Sequence, residues 1–496
     1  MVSYPRVASF RTSRALAEYL ARLGCPLPID EAILPAPLSP LSQPLDIPWF
    51  YGKRRVGNRF AVQPMEGWDG EPDGRPSELT RRRWLNFGRS GAKLIWGGEA
   101  VAVLPEGRAN PNQLILNDHT ASALAALREE TLKVHHEHFG RVDDLVFGLQ
   151  LTHSGRFCRP NDKDRAEPVV AYRHPILDSR HHGAIDIHLL SDAEVERIVA
   201  AFGAAARLAQ EIGFDFVDLK HCHGYLGHEF LSAYHRSGQY GGCFENRTRF
   251  LRELIAAVRS PAKGLEIGVR VSTYDTVPFV SHPESRQGVP VSAPAPYCWG
   301  FGVNPDDPTQ PDLTEARRLL ALLESLGVRL VNVTAGSPYY SPHIQRPALF
   351  PPLDGYLPPE DPLAGSARLQ WAARELKSSS RAVIVASGWS YFQNYLPHVA
   401  QALVRQGWTD FVGLGRMMLS YPELPTDVLQ KGILDSKRLC RTFSDCTNGP
   451  RNGLVSGCYP LDPFYKERPE AELLKQLTSK VTNAPAKDGA DAPSAR

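Results

Sequence analysis

Short apolar runs alternate with helical patterns between residues 41 and 415 of this 496-residue chain. This alternation is typical of βα units that assemble into a parallel sheet. Eight units predict a (β/α)8 barrel, in which the functional face lies at the carboxyl ends of the strands. A doubly wound sheet is the alternative, but no Gly-rich dinucleotide-binding turn accompanies the strands. The eight predicted strands are 59–63, 94–98, 146–151, 214–220, 267–272, 330–334, 382–387 and 410–415.

Helix signals and long loops fit between these strands. Ser191 and Glu194 form a capping box, and the helix that follows should end at Gly213. Residues 314–327 predict a second amphipathic helix closed by a glycine. Two Pro-rich segments, 274–311 and 337–362, follow the fifth and sixth strands. Because they leave the carboxyl ends of strands, we expect them to form lids over a substrate.

The regions outside the barrel differ from it in composition. A helix near residues 13–23 and a Pro-rich linker predict an N-terminal arm. The end of the chain, which includes LTSKVTNAPAKDGADAPSAR, predicts a disordered tail. We therefore divide the chain into an arm (1–40), a barrel (41–430), a Cys-containing extension (431–466) and a C-terminal tail (467–496).

Composition narrows the possible partners. Hydrophobic residues make up 42% of the chain and charged residues 22%, as in ordinary globular proteins. A net charge of +2 gives no reason to expect a nucleic-acid partner. No apolar run is long enough to cross a bilayer. Eight cysteines at this low density favour reduced thiols in a cytoplasmic protein.

Polar side chains gather at the end of the fourth predicted strand. Lys220, His221, His223 and Tyr225 follow an apolar run at the position where parallel barrels carry their chemistry. Spacing alone leaves open that these residues only form a surface loop. The stretch 213–250, however, resembles the signature of the Old Yellow Enzyme family of FMN-dependent oxidoreductases, whose larger relatives include 2,4-dienoyl-CoA reductase and trimethylamine dehydrogenase. The matching residues are His223, Gly224, Tyr225, Leu226, Tyr240, Gly241, Gly242, Glu245, Asn246, Arg247, Arg249 and Phe250.

The resemblance extends over most of the barrel and implies a flavin site. It implies that Gln150 binds the pyrimidine side of FMN and that Arg270 lies beside N1 and O2, where a cation stabilises the reduced flavin. The two last strands resemble the phosphate site of such barrels. Trp68 falls at a substrate-pocket position. The implied FMN contacts are Pro64, Met65, Glu66, Ala100, Gln150, Arg270, Ser387, Gly388, Gly415 and Arg416.

The resemblance also implies the catalytic groups. Lys220 and His223 would hold the oxygen of an activated alkene, and Tyr225 would protonate its α-carbon. The family usually has His where this chain has Lys220, and Thr or Cys where it has Glu66. We expect Lys220 either to pair with Glu66 across the flavin edge or to bind a carboxylate or enolate of the substrate. A Lys that merely supports the flavin is the alternative.

A cysteine segment follows the barrel. Larger relatives place four cysteines here to bind a 4Fe–4S cluster, whereas this chain matches with only Cys440, Cys446 and Cys458. Because such clusters normally take four thiolates, we interpret the segment as degenerate and do not expect a cluster. The chain ends before the further nucleotide-binding domains of those relatives, so we expect NAD(P)H to reduce the flavin directly.

The leading hypothesis is an NAD(P)H-dependent FMN oxidoreductase that reduces an activated C=C bond of a small molecule. One alternative is a flavin dehydrogenase or demethylase that passes electrons to a protein partner. The other is a flavin-binding redox protein with little turnover. Resemblance further suggests a homo-oligomer.

Overall fold

The computed structural model of the protein describes residues 4–50, 52–180 and 186–483. Its strands are β1 (Leu45–Trp49), β2 (Gly52–Val56), β3 (Phe60–Val62), β4 (Leu94–Ile95), β5 (Ala100–Ala102), β6 (Val146–Thr152), β7 (Val169–Val170), β8 (His188–Leu189), β9 (Phe216–His221), β10 (Glu266–Ser272), β11 (Phe279–Ser281), β12 (Gly288–Pro290), β13 (Leu330–Thr334), β14 (Val383–Ala386) and β15 (Phe411–Leu414). Its α-helices are α1 (Ser13–Arg22), α2 (Glu78–Arg89), α3 (Ala121–Phe139), α4 (Asp192–Ile212), α5 (Leu226–Leu231), α6 (Phe244–Arg247), α7 (Arg249–Arg259), α8 (Thr314–Ser325), α9 (Pro342–Gln345), α10 (Pro362–Ser378), α11 (Leu396–Arg405), α12 (Met417–Ser420), α13 (Leu424–Lys431), α14 (Asp445–Arg451), α15 (Pro463–Lys466) and α16 (Pro469–Asn483).

Eight of these strands close into a parallel barrel. The order is β3, β4, β6, β9, β10, β13, β14 and β15, and β15 pairs with β3 to complete the ring. Every residue in the eight strands is buried. A strand covered on both faces carries mostly apolar residues, and for that reason each strand forms a nearly continuous apolar run rather than an alternation. The predicted (β/α)8 barrel and its eight strands are confirmed.

An antiparallel hairpin, β1–β2, covers the amino end of the barrel. Ile47 and Val56 of the hairpin pack against residues that open the barrel strands, among them Leu94, Phe216 and Phe411. The backbone N–H of Phe50 donates to Glu266 Oε2, at the start of β10, over 2.6 Å. The sequence did not predict this hairpin, because Pro48 breaks the strand pattern and no hairpin turn motif marks it.

The predicted helix signals are present. Ser191 and Glu194 form the capping box of α4, and Gly213 ends that helix in a left-handed conformation (φ 98°). The arm helix α1 packs on the barrel: Tyr19 donates to Asp361 Oδ2 over 2.6 Å, and Tyr395 donates to the Phe10 carbonyl over 2.8 Å.

The predicted disordered tail is wrong in its first part, because helix α16 continues to Asn483. Leu474 of that helix is buried against Tyr459 and Tyr465, so packing orders a segment whose composition is polar. Residues 484–496 of the predicted tail lie outside the described residues. Among the described helices we find none with the length and apolar character that crossing a membrane requires.

Both Pro-rich segments cover the carboxyl end of the barrel. The first, 274–311, contains the β11–β12 hairpin, and the second, 337–362, contains α9. The two segments are joined by backbone hydrogen bonds from Phe279 to Tyr340 and from Gly288 to Leu357. They therefore form one continuous cover over the side of the barrel where the predicted site residues lie.

Candidate active site

One cavity at the carboxyl ends of the barrel strands is lined by all fourteen residues that the resemblance assigns to FMN, substrate or catalysis. These are Pro64, Met65, Glu66, Trp68, Ala100, Gln150, Lys220, His223, Tyr225, Arg270, Ser387, Gly388, Gly415 and Arg416. The fold brings them together because parallel barrel strands end on the same face. Of the three predicted cluster cysteines, Cys446 also lines this cavity.

The Glu66 carboxylate contacts three other side chains that line the cavity. Lys220 Nζ lies 2.7 Å from Oε1, and the Tyr225 hydroxyl donates to Oε2 over 2.9 Å. Trp68 Nε1 approaches the same Oε2 at 3.4 Å. The Lys220 ammonium also lies 3.5 Å from the centre of the Tyr225 ring, a cation–π contact. The structure therefore has the Lys220–Glu66 ion pair, the first of the two arrangements expected from the sequence.

Tyr225 is held as a neutral phenol. Burial, followed by the negative charge of Glu66, raises its pKa well above the ordinary value of 10. Its hydroxyl oxygen also lies 2.9 Å from the hydroxyl of Tyr339, a residue of the 337–362 segment. The Tyr225 hydroxyl thus keeps its proton at neutral pH and donates it in a hydrogen bond to Glu66.

His223 lines the same cavity from a turn with a left-handed backbone. Its φ of 66° and that of Gly224 (80°) bend the chain sharply after β9. Its backbone N–H donates to Ser272 Oγ over 2.9 Å, which fixes the turn to β10. Burial, and then the positive charges of Arg270 and Lys220, lower the pKa of His223 well below 6.5. The imidazole is therefore neutral at pH 7, with one N–H to donate.

A buried carboxylate orients the residues predicted to bind the flavin ring. Gln150 Nε2 donates to Asp218 Oδ2 over 2.5 Å, and the backbone N–H of Arg270 donates to Asp218 Oδ1 over 2.6 Å. Burial raises the pKa of Asp218 to about 6. Nε of Arg270 is buried without a partner among the described residues, and burial lowers the pKa of Arg270. Asp218 was missed, although it is one of two aspartates in the otherwise apolar stretch 214–220 and lies well inside the predicted strand.

The other end of the cavity has the features of a phosphate site. Gly388 takes a left-handed conformation (φ 89°), and a Cβ there would lie 2.5 Å from Leu369 Cδ1. The backbone then enters a 3-10 turn, Trp389–Tyr395, and the first N–H groups of such a turn have no acceptor within the turn itself. Nη1 of Arg416 is buried and has no partner in the part of the chain that the structure describes. These groups suit a bound phosphate.

The 337–362 lid supplies residues that sequence reasoning missed. Tyr339, Gln345 and Arg346 line the cavity, and Gln345 Nε2 lies 3.4 Å from His223 Nε2. Tyr339 stacks on Phe157 with ring centroids 3.9 Å apart. A long Pro-rich loop has neither periodicity nor a motif, so nothing in the sequence indicated which of its residues face inward.

The Cys-containing extension holds this lid. The Asn448 side chain accepts from the Leu353 N–H over 2.9 Å, and Ser444 Oγ donates to the Phe350 carbonyl over 2.7 Å. Arg451 donates to both oxygens of Asp354. Among the described residues no group of three or more His, Cys, Asp or Glu side chains is arranged to hold a metal ion. The contacts that the extension makes here are with the lid.

Comparison with known proteins gives the family. Residues 41–281 match the model of the NADH:flavin oxidoreductase / NADH oxidase family. The match covers just under half of the chain. The Old Yellow Enzyme resemblance read from residues 213–250 is thereby confirmed. The matched range includes Gln150, Lys220, His223, Tyr225 and Arg270, but neither the phosphate end of the cavity nor the 337–362 lid.

Curated members of this family cover only part of the chain. The protein is 30% identical over 241 residues to an NADPH dehydrogenase of Bacillus velezensis, covering 47% of this chain and 65% of that protein. It is 33% identical over 224 residues to the NADPH dehydrogenase of Bacillus subtilis (strain 168), covering 44% and 60%. The chain thus spans less than two thirds of the length of these relatives. An Old Yellow Enzyme homologue from Zymomonas mobilis shares the fold, with a TM-score of 0.52, 20% identity and coverage of 78% of this chain and 91% of that one.

Proposed function

We propose that the protein is an FMN-dependent oxidoreductase that takes hydride from NAD(P)H and reduces an activated C=C bond of a small molecule. The observation that carries this proposal is the single cavity that collects Gln150, His223, Tyr225, Arg270 and Arg416. The family match and the similarity to NADPH dehydrogenases support it. Eight unpaired cysteines fit a cytoplasmic location, which we propose on that ground.

The cavity fits FMN by the chemistry of its unpartnered groups. Asp218 takes the amide N–H of Gln150, so the Gln150 oxygen is left to accept from the pyrimidine side of the ring. Arg270 presents a buried cation with an unpartnered Nε for the N1–C2=O edge. Arg416 and the turn after Gly388 would hold the phosphate. Bound FMN would supply hydride transfer between NAD(P)H and the second substrate.

The protein groups then act on the second substrate. Neutral His223 donates its N–H to the carbonyl or nitro oxygen, and this bond strengthens as negative charge develops there. Tyr225 provides the proton for the α-carbon, after its hydroxyl turns from Glu66 to the substrate. Because Lys220 is bound to Glu66, we propose that it positions that carboxylate and not the substrate oxygen. The oxyanion donor is thus His223, and Lys220 acts through its ion pair with Glu66.

The test is to load the purified protein with FMN, identify the released chromophore, and follow anaerobic NADPH and NADH oxidation with a neutral acceptor, 2-cyclohexenone, and an acidic one, 4-oxopent-2-enoate. We expect one FMN per chain and acceptor-dependent oxidation. A protein that takes up no FMN would contradict the proposal. FMN uptake followed by reduction without any acceptor turnover would favour the low-turnover redox protein instead.

A further inference from the structure

Arg346 is a cation in the cavity that has no assigned ligand. It follows helix α9 on the 337–362 lid and lines the same cavity as His223 and Arg416. Its Nη1 donates to Thr447 Oγ1 over 2.5 Å. Its Nε and Nη2 are buried and have no hydrogen-bond partner among the residues of the chain that the structure describes. A guanidinium with two buried, unused donors is costly unless something binds them.

Two arginines with deeply buried side chains are neutralised by carboxylates. Arg83 pairs with Asp69 at 2.6 Å, and Arg156 pairs with Glu229 at 2.6 Å. Arg346 instead lies near two further cations. Burial, and then the positive charges of Arg451 and Arg416, lower the pKa of Arg346 to about 9.

Asp354, a carboxylate whose charge acts on Arg346, is already paired with Arg451. Asp354 accepts two hydrogen bonds from Arg451 Nη1, at 2.7 and 2.8 Å. The charge of Arg346 therefore lacks a counter-ion of its own within the described part of the site. In a low-dielectric cavity an uncompensated cation attracts an anion strongly.

Arg346 lies close enough to act on both His223 and the phosphate-end residue Arg416. Its neighbour Gln345 reaches His223, with the two Nε2 atoms 3.4 Å apart. Arg346 is also among the cations whose charge acts on His223. The phosphate end has its own groups in Gly388 and Arg416. On the Lys220 side Glu66 cancels the positive charge and would repel an acidic substrate group. An anion in the substrate region is thus directed to Arg346.

We propose that Arg346 binds an acidic group, a carboxylate or a phosphate, carried by the substrate, so that the preferred substrates are activated alkenes bearing an anion. This rests on the proposed function and deepens it. The flavin phosphate is the other possible source of the same chemistry, and the experiment separates the two.

The probes are 4-oxopent-2-enoate and its methyl ester, which share the alkene and ketone and differ in charge. Each is titrated into oxidised, FMN-loaded protein, and the dissociation constant is read from the shift in flavin absorbance. We expect the acid to bind about 10- to 100-fold more tightly than the ester. Arg346→Met should abolish this preference, and Arg346→Lys should keep part of it. Arg317→Met is the matched control, because Arg317 is an exposed arginine on α8 paired with Glu375.

Equal binding of acid and ester by the unaltered protein would overturn the proposal without any variant. Loss of FMN affinity in Arg346→Met with the acid preference kept would also overturn it, because Arg346 would then serve the flavin phosphate. If the protein takes up no FMN, the proposed function fails first. The same two probes are then compared by the shift they cause in the unfolding temperature of the FMN-free protein, where a preference for the acid that requires Arg346 still supports the anion site.

Discussion

The Glu66–Lys220 pair places two opposite charges beside the predicted flavin edge. Glu66→Gln should leave a cation there and raise the midpoint potential of bound FMN, since the reduced ring gains negative charge. Lys220→Met should leave the anion and lower the potential. Each shift should be on the order of tens of millivolts. The measurement is a dye-coupled anaerobic titration of each variant.

The double variant Glu66→Gln/Lys220→Met is the control for this pair, because it keeps the net charge of the wall unchanged. Its potential should lie close to that of the unaltered protein. Two single variants that shift the potential in the same direction would show that charge is not the cause. This comparison also tests whether Lys220 acts through Glu66.

Asp218 should make stability depend on pH. Burial raises its pKa from 3.8 to about 6, so the folded state binds its proton more tightly than the unfolded state does. The contribution to stability is therefore present below pH 3.8 and is lost as the pH rises through 6. Because asparagine does not titrate, the Asp218→Asn variant should not lose stability at this position as the pH rises.

We expect the stability of Asp218→Asn relative to the unaltered protein to rise by about 2 kcal/mol between pH 4.5 and 7.5. Urea unfolding of the FMN-free protein at the two pH values measures it. Asp46→Asn, an exposed position on the β1–β2 hairpin, should show no such trend. A pH-independent difference for Asp218→Asn would mean that the carboxyl is not protonated in the folded state near pH 5.

Among the elements, helix α14 holds the 337–362 lid in place. Asn448→Ala would leave the part-buried N–H of Leu353 without this acceptor, a local cost of about 0.5–1.5 kcal/mol. We expect faster hydrogen exchange in residues 350–355 and unchanged exchange in β9. Asn452→Ala is the matched control, because the Asn452 side chain donates to the Asn448 carbonyl at the end of the same helix and makes no hydrogen bond to the lid within the described residues. Equal exchange in both variants would show that Asn448 does not hold the lid.

Elements differ in how far the sequence could predict them. The barrel strands could be predicted because complete burial makes them mostly apolar. Their carboxyl ends could be recognised because polar residues such as Lys220 and His223 lie there. The β1–β2 hairpin and α16 could not be predicted from the local pattern. Each forms because a residue, Ile47 or Leu474, packs into a buried cluster. Ordered family motifs predicted strand residues that line the cavity. The cavity residues Tyr339 and Arg346 could not be predicted. They lie on a loop whose conformation depends on contacts with a helix distant in the sequence, so the local sequence carries no pattern that marks them.

On the scale of the whole molecule, stability and chemistry lie at opposite ends of the barrel. Ile47→Ala opens a cavity at the amino end, beneath the hairpin, and should lower the free energy of unfolding by about 2–4 kcal/mol. The affinity for FMN should stay within about twofold, because no residue of that cluster lines the cavity. Chemical unfolding and FMN titration measure the two effects. Asp46→Ala, on the exposed side of the same hairpin, should change neither. A tenfold loss of FMN affinity in Ile47→Ala would show that the two ends are coupled.

The contact between Thr447 and Arg346 joins a segment outside the barrel to the charge that we assign to substrate choice. Helix α14 and the lid it holds therefore form a unit that can be inherited or exchanged together. Grafting residues 440–458 and 337–362 from a homologue as a pair should transfer acceptor preference, while either graft alone should leave a lid without its support. Divergence of specificity in such barrels would then proceed by paired changes in two segments far apart in the sequence.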